Sequence, residues 1–169
     1  IILVLMEYFL KFSTLGYAQR ELFSCTILYT FIFSLLTASP FNAVLSRYIS
    51  DVIYEERYQD ILPCYHIGMM LNIVLSCLVG IPFCLWEHFV GGVSVAYVFA
   101  GFWCYISLVF VFYSMIYLSI CKDYQRIAQY YIVGMLVAFF LSLFLRYICH
   151  WGITQSMLAA MDAGFFLTA

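Results

Sequence analysis

The stretch FNAVLSRYISDVIYEERYQDILP, residues 41–63, decides how this chain is read. It carries Arg47, Asp51, Glu55, Glu56, Arg57 and Asp60 in a protein that is only 9% charged and 66% hydrophobic. The run before it, residues 22–46, holds no Asp, Glu, Lys or Arg. A helix needs about 20 apolar residues to cross the hydrocarbon core of a bilayer, so that run is long enough. The pattern is that of a membrane helix that emerges into water and turns back at Pro63, a residue tolerated in the first turn of the next helix.

Composition extends this reading to the whole chain. Soluble domains are about 45–50% apolar and roughly 25% charged; here the mean hydropathy is +1.02. The fold class expected is an all-α, polytopic transmembrane helical bundle, multi-pass, with the lipid bilayer as its solvent. The net charge of -2 carries little information, and no basic patch points to nucleic acid. The chain opens inside one apolar run, residues 1–6, and stops inside another, residues 164–169. It is therefore expected to be a fragment of a longer protein. No basic region precedes Ile1, as a signal peptide would require. Cys25, Cys64, Cys77, Cys84, Cys104, Cys121 and Cys149 form no CxxC pair and fall mostly in apolar runs. They read as small helix- or lipid-facing residues rather than metal or redox groups.

Charges punctuate the spans, which read as residues 1–6, 22–53, 61–86, 95–121, 127–146 and 153–169, in a single helical domain covering 1–169. Between them lie a loop at 7–21 with Glu7, Lys11, Arg20 and Glu21, a polar turn at 54–60, and a loop at 87–94 marked by Gly91 and Gly92. A tight turn holds Lys122, Asp123 and Arg126, and a loop spans 149–152. Pro40 lies inside the span 22–53 and predicts a kink there, since it removes a backbone donor whose carbonyl the bundle must satisfy otherwise. Short-loop cations set orientation. Arg47, Arg57, Lys122 and Arg126 share one side, against Lys11, Arg20 and Arg146 on the other. The small excess places residues 41–63 at the cytoplasmic end.

The segments LSRYISDVIYE (residues 45–55) and DILP (60–63), with YAQRELF (17–23) and TASPF (37–41) upstream, resemble the Pel exopolysaccharide inner-membrane transporter family (PelG). That family is placed in the superfamily of polysaccharide flippases and multidrug extruders. The resemblance implies part of the N-terminal lobe of a two-lobed flippase-type transporter in the bacterial inner membrane. It implies export of a cationic, amino-sugar-rich exopolysaccharide. It also implies partners in a synthesis complex: a cytoplasmic glycosyltransferase and a cyclic-di-GMP receptor subunit. Within the superfamily the alternatives are a lipid-linked oligosaccharide flippase and a cation-coupled multidrug antiporter. A flippase cavity that holds a pyrophosphate should be more basic than Arg47 and Arg146 make this one.

Candidate path or gate residues follow from polarity in apolar surroundings. Arg47, Asp51 and Glu55 are spaced i, i+4, i+8, so they share a helix face and Arg47 can pair with Asp51. Ser39, Asn42, Ser46 and Ser50 form a polar stripe beside them, which lipid does not tolerate cheaply. One reading is a vestibule or gate built on Ser46, Arg47, Asp51 and Glu55; the other is a helix that ends in solvent. Asp162 is the acid set well inside an apolar run, and intramembrane carboxylates are functional candidates by default. Ser156, Ala160 and Gly164 beside it form a small-residue stripe of the kind that lets helices pack closely. Arg146 and His150 are expected to snorkel to the interface. Tyr48, Tyr54, Tyr58 and Tyr65 read as interface anchors. His66, His88 and His150 are not spaced as metal ligands and have no face-matched acid partner for acid–base work. No GxxxxGK loop occurs. The chain is thus expected to be a transporter and not an enzyme, with no metal and no cofactor.

Overall fold

The computed structural model describes residues 8–9, 16–120, 124–148 and 152–168, and every element among them is helical. In chain order these are α1 (Tyr17–Tyr54), a 3-10 turn (Tyr58–Asp60), α2 (Ile61–Phe89), α3 (Val95–Ile120), α4 (Tyr124–Tyr147) and α5 (Ile153–Thr168). Among the described residues four helices, α1 to α4, are long and apolar enough to cross a membrane. The all-α transmembrane class is as the composition dictates. Residues 1–6, Glu7, Lys11, Cys121, Lys122, Asp123, Cys149 and His150 lie outside the described residues.

Three helices run past the charges that were expected to end them. α1 begins at Tyr17 rather than residue 22, with the amides of Gln19 and Arg20 donating to Gly16 O at 3.1 and 3.2 Å. α2 continues through Glu87 and His88 to Phe89, and α4 starts at Tyr124, ahead of Arg126. The reason is that charge marks where the hydrocarbon ends, whereas a helix keeps its own backbone bonds into the interfacial layer. With 38 residues, α1 is about 57 Å long, roughly twice the apolar core of a bilayer. It is helical throughout, with Pro40 inside it.

The turn after α1 is a Schellman motif. Arg57 N donates to Val52 O and Glu56 N to Ile53 O, at 3.0 and 3.2 Å. Glu56 takes the left-handed position with φ 58, where glycine is usual. Gly92, at φ 64, serves the turn between α2 and α3.

α3 is the hub. It packs against α1, α2 and α5, while α4 leans mainly on α5. One apolar core joins Cys104, Leu108 and Val111 of α3 to Met157, Leu158, Met161 and Phe165 of α5, with Phe23 of α1. A second gathers Leu45, Ile49 and Val52 of α1 with Ile61 of α2 and Tyr113 of α3. α4 and α5 meet through small residues. Gly134, Ala138 and Ser142 are buried on α4, opposite Ser156, Ala160 and Gly164 on α5. A Cβ at Gly164 would stand 2.6 Å from Gly134 O and 2.7 Å from Ala138 Cβ, so the backbones touch. The outer faces carry Ile67, Met70, Val74, Leu78 and Ile81 on α2, and Ile132, Leu136, Phe140 and Phe144 on α4, all exposed. Lipid is the solvent such faces fit.

Candidate functional site

Polar groups in the interior fall into two kinds. Most hydroxyls bond back onto their own helix: Thr30 to Thr26 O (2.6 Å), Ser34 to Phe31 O (2.9 Å), Ser76 to Asn72 O (2.7 Å), Ser142 to Phe139 O (2.7 Å) and Ser156 to Ile153 O (2.9 Å). This satisfies the group locally and leaves a small surface for the neighbour. A smaller set crosses between helices in the interior, and among the described residues each of these buried or part-buried bonds involves α3. Thr37 of α1 meets Tyr105 Oη at 2.8 Å, and Tyr97 Oη donates to Thr26 Oγ1 at 3.2 Å. Tyr65 of α2 meets Ser114 Oγ at 3.0 Å, and Tyr113 Oη donates to Tyr65 O at 3.0 Å. Ser107 Oγ donates to Asp162 Oδ1 at 2.7 Å.

The last of these joins the one candidate acid that the fold encloses. Asp162, on α5, is 9% exposed and sits beside the Leu158–Met161–Phe165 core. Its recorded partner among the described residues is Ser107. A carboxylate removed from water with one hydroxyl donor is electrostatically under-compensated. Such a group invites a proton or a cation. Two further buried acceptors, Asn42 Oδ1 on α1 and Asn72 Oδ1 on α2, have no hydrogen-bond partner among the described residues.

The other candidates stand elsewhere. Ser46 is half-buried and its hydroxyl donates to Ala43 O at 3.0 Å. Arg47, Asp51 and Glu55 are exposed. The expected pair of Arg47 with Asp51 does not form; the ion pairs among the described residues are those of Arg57 with Glu55 and Asp60. The carboxylate of Glu55, hydrogen-bonded to the guanidinium, pushes Arg57 above its ordinary value. Arg57 lies in the tight turn, so its side chain reaches both acids without crossing a helix face, whereas Arg47 and Asp51 extend into solvent that satisfies each alone. Ser39 and Ser50 are also exposed, with Ser50 Oγ donating to Ser46 O. The stripe buried inside this bundle is instead Thr30, Ser34 and Thr37, on the other side of Pro40. No hydrogen bond or ion pair joins the α1 charges to Asp162 among the described residues.

Tyr65 is half-buried and packs with tilted rings against Tyr113 and Tyr117, 5.2 and 4.9 Å between ring centroids, so it is tied into the bundle as well as near its end. Tyr48 and Tyr54 are exposed as anchors would be. His66 and His88 bond to Leu62 O and Val93 O. Among the described residues no group of His, Cys, Asp and Glu is placed to hold a metal ion, and Cys25, Cys64, Cys77, Cys84 and Cys104 are free.

Sequence reasoning missed a cleft of about 120 Å³ between α1, α2 and α3, at the end of the bundle away from residues 41–63. Tyr29, Phe33, Phe83 and Phe102 form its apolar wall, and Glu87 lines its rim. The four-residue step from Phe83 to Glu87, which sets an aromatic and an acid on one helix face, was the available signal.

No curated protein and no solved structure matches the chain. A family described as "PelG: Putative exopolysaccharide Exporter (EPS-E)" matches residues 1–169, the whole of it. Beside four helices long and apolar enough to cross a membrane, that match over the whole chain shows the family: the chain belongs to the PelG family of exopolysaccharide exporters.

Proposed function

We propose that this chain forms part of the path by which a Pel-type exopolysaccharide leaves the bacterial inner membrane. The observation that carries the reading is the family match over the whole chain; the helical, lipid-compatible exterior supports it. In this account the bundle moves as a unit, because α3 is bonded to α1, α2 and α5 at once. The exposed charges at the end of α1 then stand at the cytoplasmic mouth, where Arg47, Asp51 and Glu55 meet the growing polymer together with Ser46. Asp162, held by Ser107, acts deeper in the bundle. Its occupancy by a proton or cation biases how α5 sits on α3, which is how an ion gradient can be linked to lobe motion. Partners in this proposal are a cytoplasmic glycosyltransferase that feeds the polymer and a cyclic-di-GMP receptor subunit that licenses synthesis.

The test is complementation. The full-length gene is expressed in a Pel-producing host that lacks its own exporter, with synthesis left intact. Restored extracellular polymer at matched membrane levels of protein is the expected result. A host that makes polymer inside and secretes none, with the protein correctly inserted, contradicts the proposal.

A further inference from the structure

The cleft between α1, α2 and α3 combines features that the export reading does not use. Its walls are aromatic: Phe33 and Phe83 lie 5.1 Å apart between ring centroids, and Tyr29 and Phe83 6.3 Å. Thr26 and Tyr97, which also line it, hydrogen-bond to each other and so demand no ligand. Glu87 is different. It is half-buried in the last turn of α2 and makes no ion pair among the described residues. The carboxyl end of a helix adds negative potential at that point. A carboxylate without an ion pair, lining the same cleft as a group of aromatic rings, is complementary to a positive nitrogen on an apolar body.

We propose that this cleft binds a compact organic cation, one ammonium nitrogen carried on a single ring or short alkyl body, with Glu87 as its counter-charge. The body lies against the wall that the packed rings of Tyr29, Phe33 and Phe83 form, and the ammonium stays beside Glu87. The site is independent of polymer export and of Asp162, so failure of either leaves the other standing.

Cys84 lines the cleft one turn of helix from Glu87 and reports its occupancy. The full chain, with its other cysteines replaced, is placed in phosphatidylglycerol nanodiscs, which carry no ammonium headgroup. The rate of maleimide labelling at Cys84 is then followed with benzyltrimethylammonium and with neopentylbenzene, its uncharged carbon analogue. The cation is expected to slow labelling strongly and the neutral analogue to do so only weakly. Glu87→Gln is expected to raise the half-protecting cation concentration about tenfold, the equivalent of one desolvated cation contact. Phe83→Leu, which keeps an apolar wall and removes the ring face, is expected to raise it severalfold. Equal protection by the neutral analogue overturns the proposal, as does an unchanged response in Glu87→Gln. Protection of Cys84 by added phosphatidylethanolamine without any probe also overturns it, because the occupant is then a lipid headgroup. Should Glu87→Gln fail to assemble, the cation-versus-neutral comparison on the unaltered chain decides alone.

Discussion

The end of α1 and the interface of α3 with α5 carry polarity in opposite ways. At the end of α1, many charges stand in the open. Arg47, Asp51 and Glu55 are each exposed, and Arg57 is the residue that pairs, across a turn only a few residues long. At α3 and α5 a single acid is enclosed, with one hydroxyl for company. Water compensates the first set almost fully, so its members are individually cheap to keep and cheap to lose. Among the described residues the Ser107 hydroxyl is what compensates Asp162, whose burial depends on the packing around it. A run of exposed charge and a lone enclosed acid therefore carry polarity at very different cost.

That contrast can be broken or sharpened by substitution, taking the largest expected effect first. Gly164→Leu drives a side chain into Gly134 O and Ala138 Cβ across the α4–α5 contact. The expected loss is roughly 3 kcal/mol, read as a large drop in thermal unfolding temperature of the purified protein in nanodiscs. An unfolding temperature close to that of the unaltered chain would mean α4 and α5 are not held at backbone contact. Ser107→Ala removes the donor to Asp162 and is expected to cost about 1–3 kcal/mol, the range for a buried acceptor left alone. The same assay on Ser107→Ala combined with Asp162→Asn should recover part of that loss. Additive losses would show that the two side chains are not coupled.

Tyr105→Phe deletes the bond to Thr37 between α3 and α1. Bonds of this kind inside membranes average about 0.6 kcal/mol, so a small but measurable fall in unfolding temperature is expected. A fall as large as that of Ser107→Ala would place the centre of the polar interior at α1 instead of α5. The smallest effect belongs to the α1 charges. Arg47→Gln and Asp51→Asn are expected to change stability by less than about 0.5 kcal/mol each, as exposed substitutions do. A loss above 1 kcal/mol for either would reveal a partner that the exposed geometry does not offer.

Much of this architecture is legible in the amino-acid order, for a physical reason: lipid imposes one demand on every span, and a break in apolarity must be a break in the membrane. The turn at residues 54–60, the start of α2 just before Pro63 and the start of α3 at Val95 follow from that demand. The burial of Asp162 is legible too, because an acid in an apolar run is costly to leave facing lipid. Helix ends are not: Arg20, Glu87 and Arg126 all lie inside helices, since the interfacial layer accepts charge and helix together.

Which face looks inward is also hidden. α3 is apolar on nearly every side, so no periodicity separates Tyr105 and Tyr113, which are buried, from Phe99 and Trp103, which are exposed. The same uniformity made Tyr65 resemble Tyr54 in sequence, although one is half-buried against Tyr113 and the other is 90% exposed. Small residues are the exception. Gly134, Ala138 and Ser142 repeat the four-residue spacing of Ser156, Ala160 and Gly164, and matching stripes on successive helices announce their contact.

The most direct measurement compares secreted polymer from hosts carrying Asp162→Asn and Asp51→Asn in the full-length exporter, with membrane protein levels matched by blot. Both replacements keep size and remove one negative charge. The account predicts that Asp162→Asn lowers export at least tenfold, whereas Asp51→Asn, which removes one of several exposed groups that share the contact with the polymer, lowers it only severalfold. Normal export from Asp162→Asn, with export abolished in Asp51→Asn, would contradict it and move the working site to the open charges of α1.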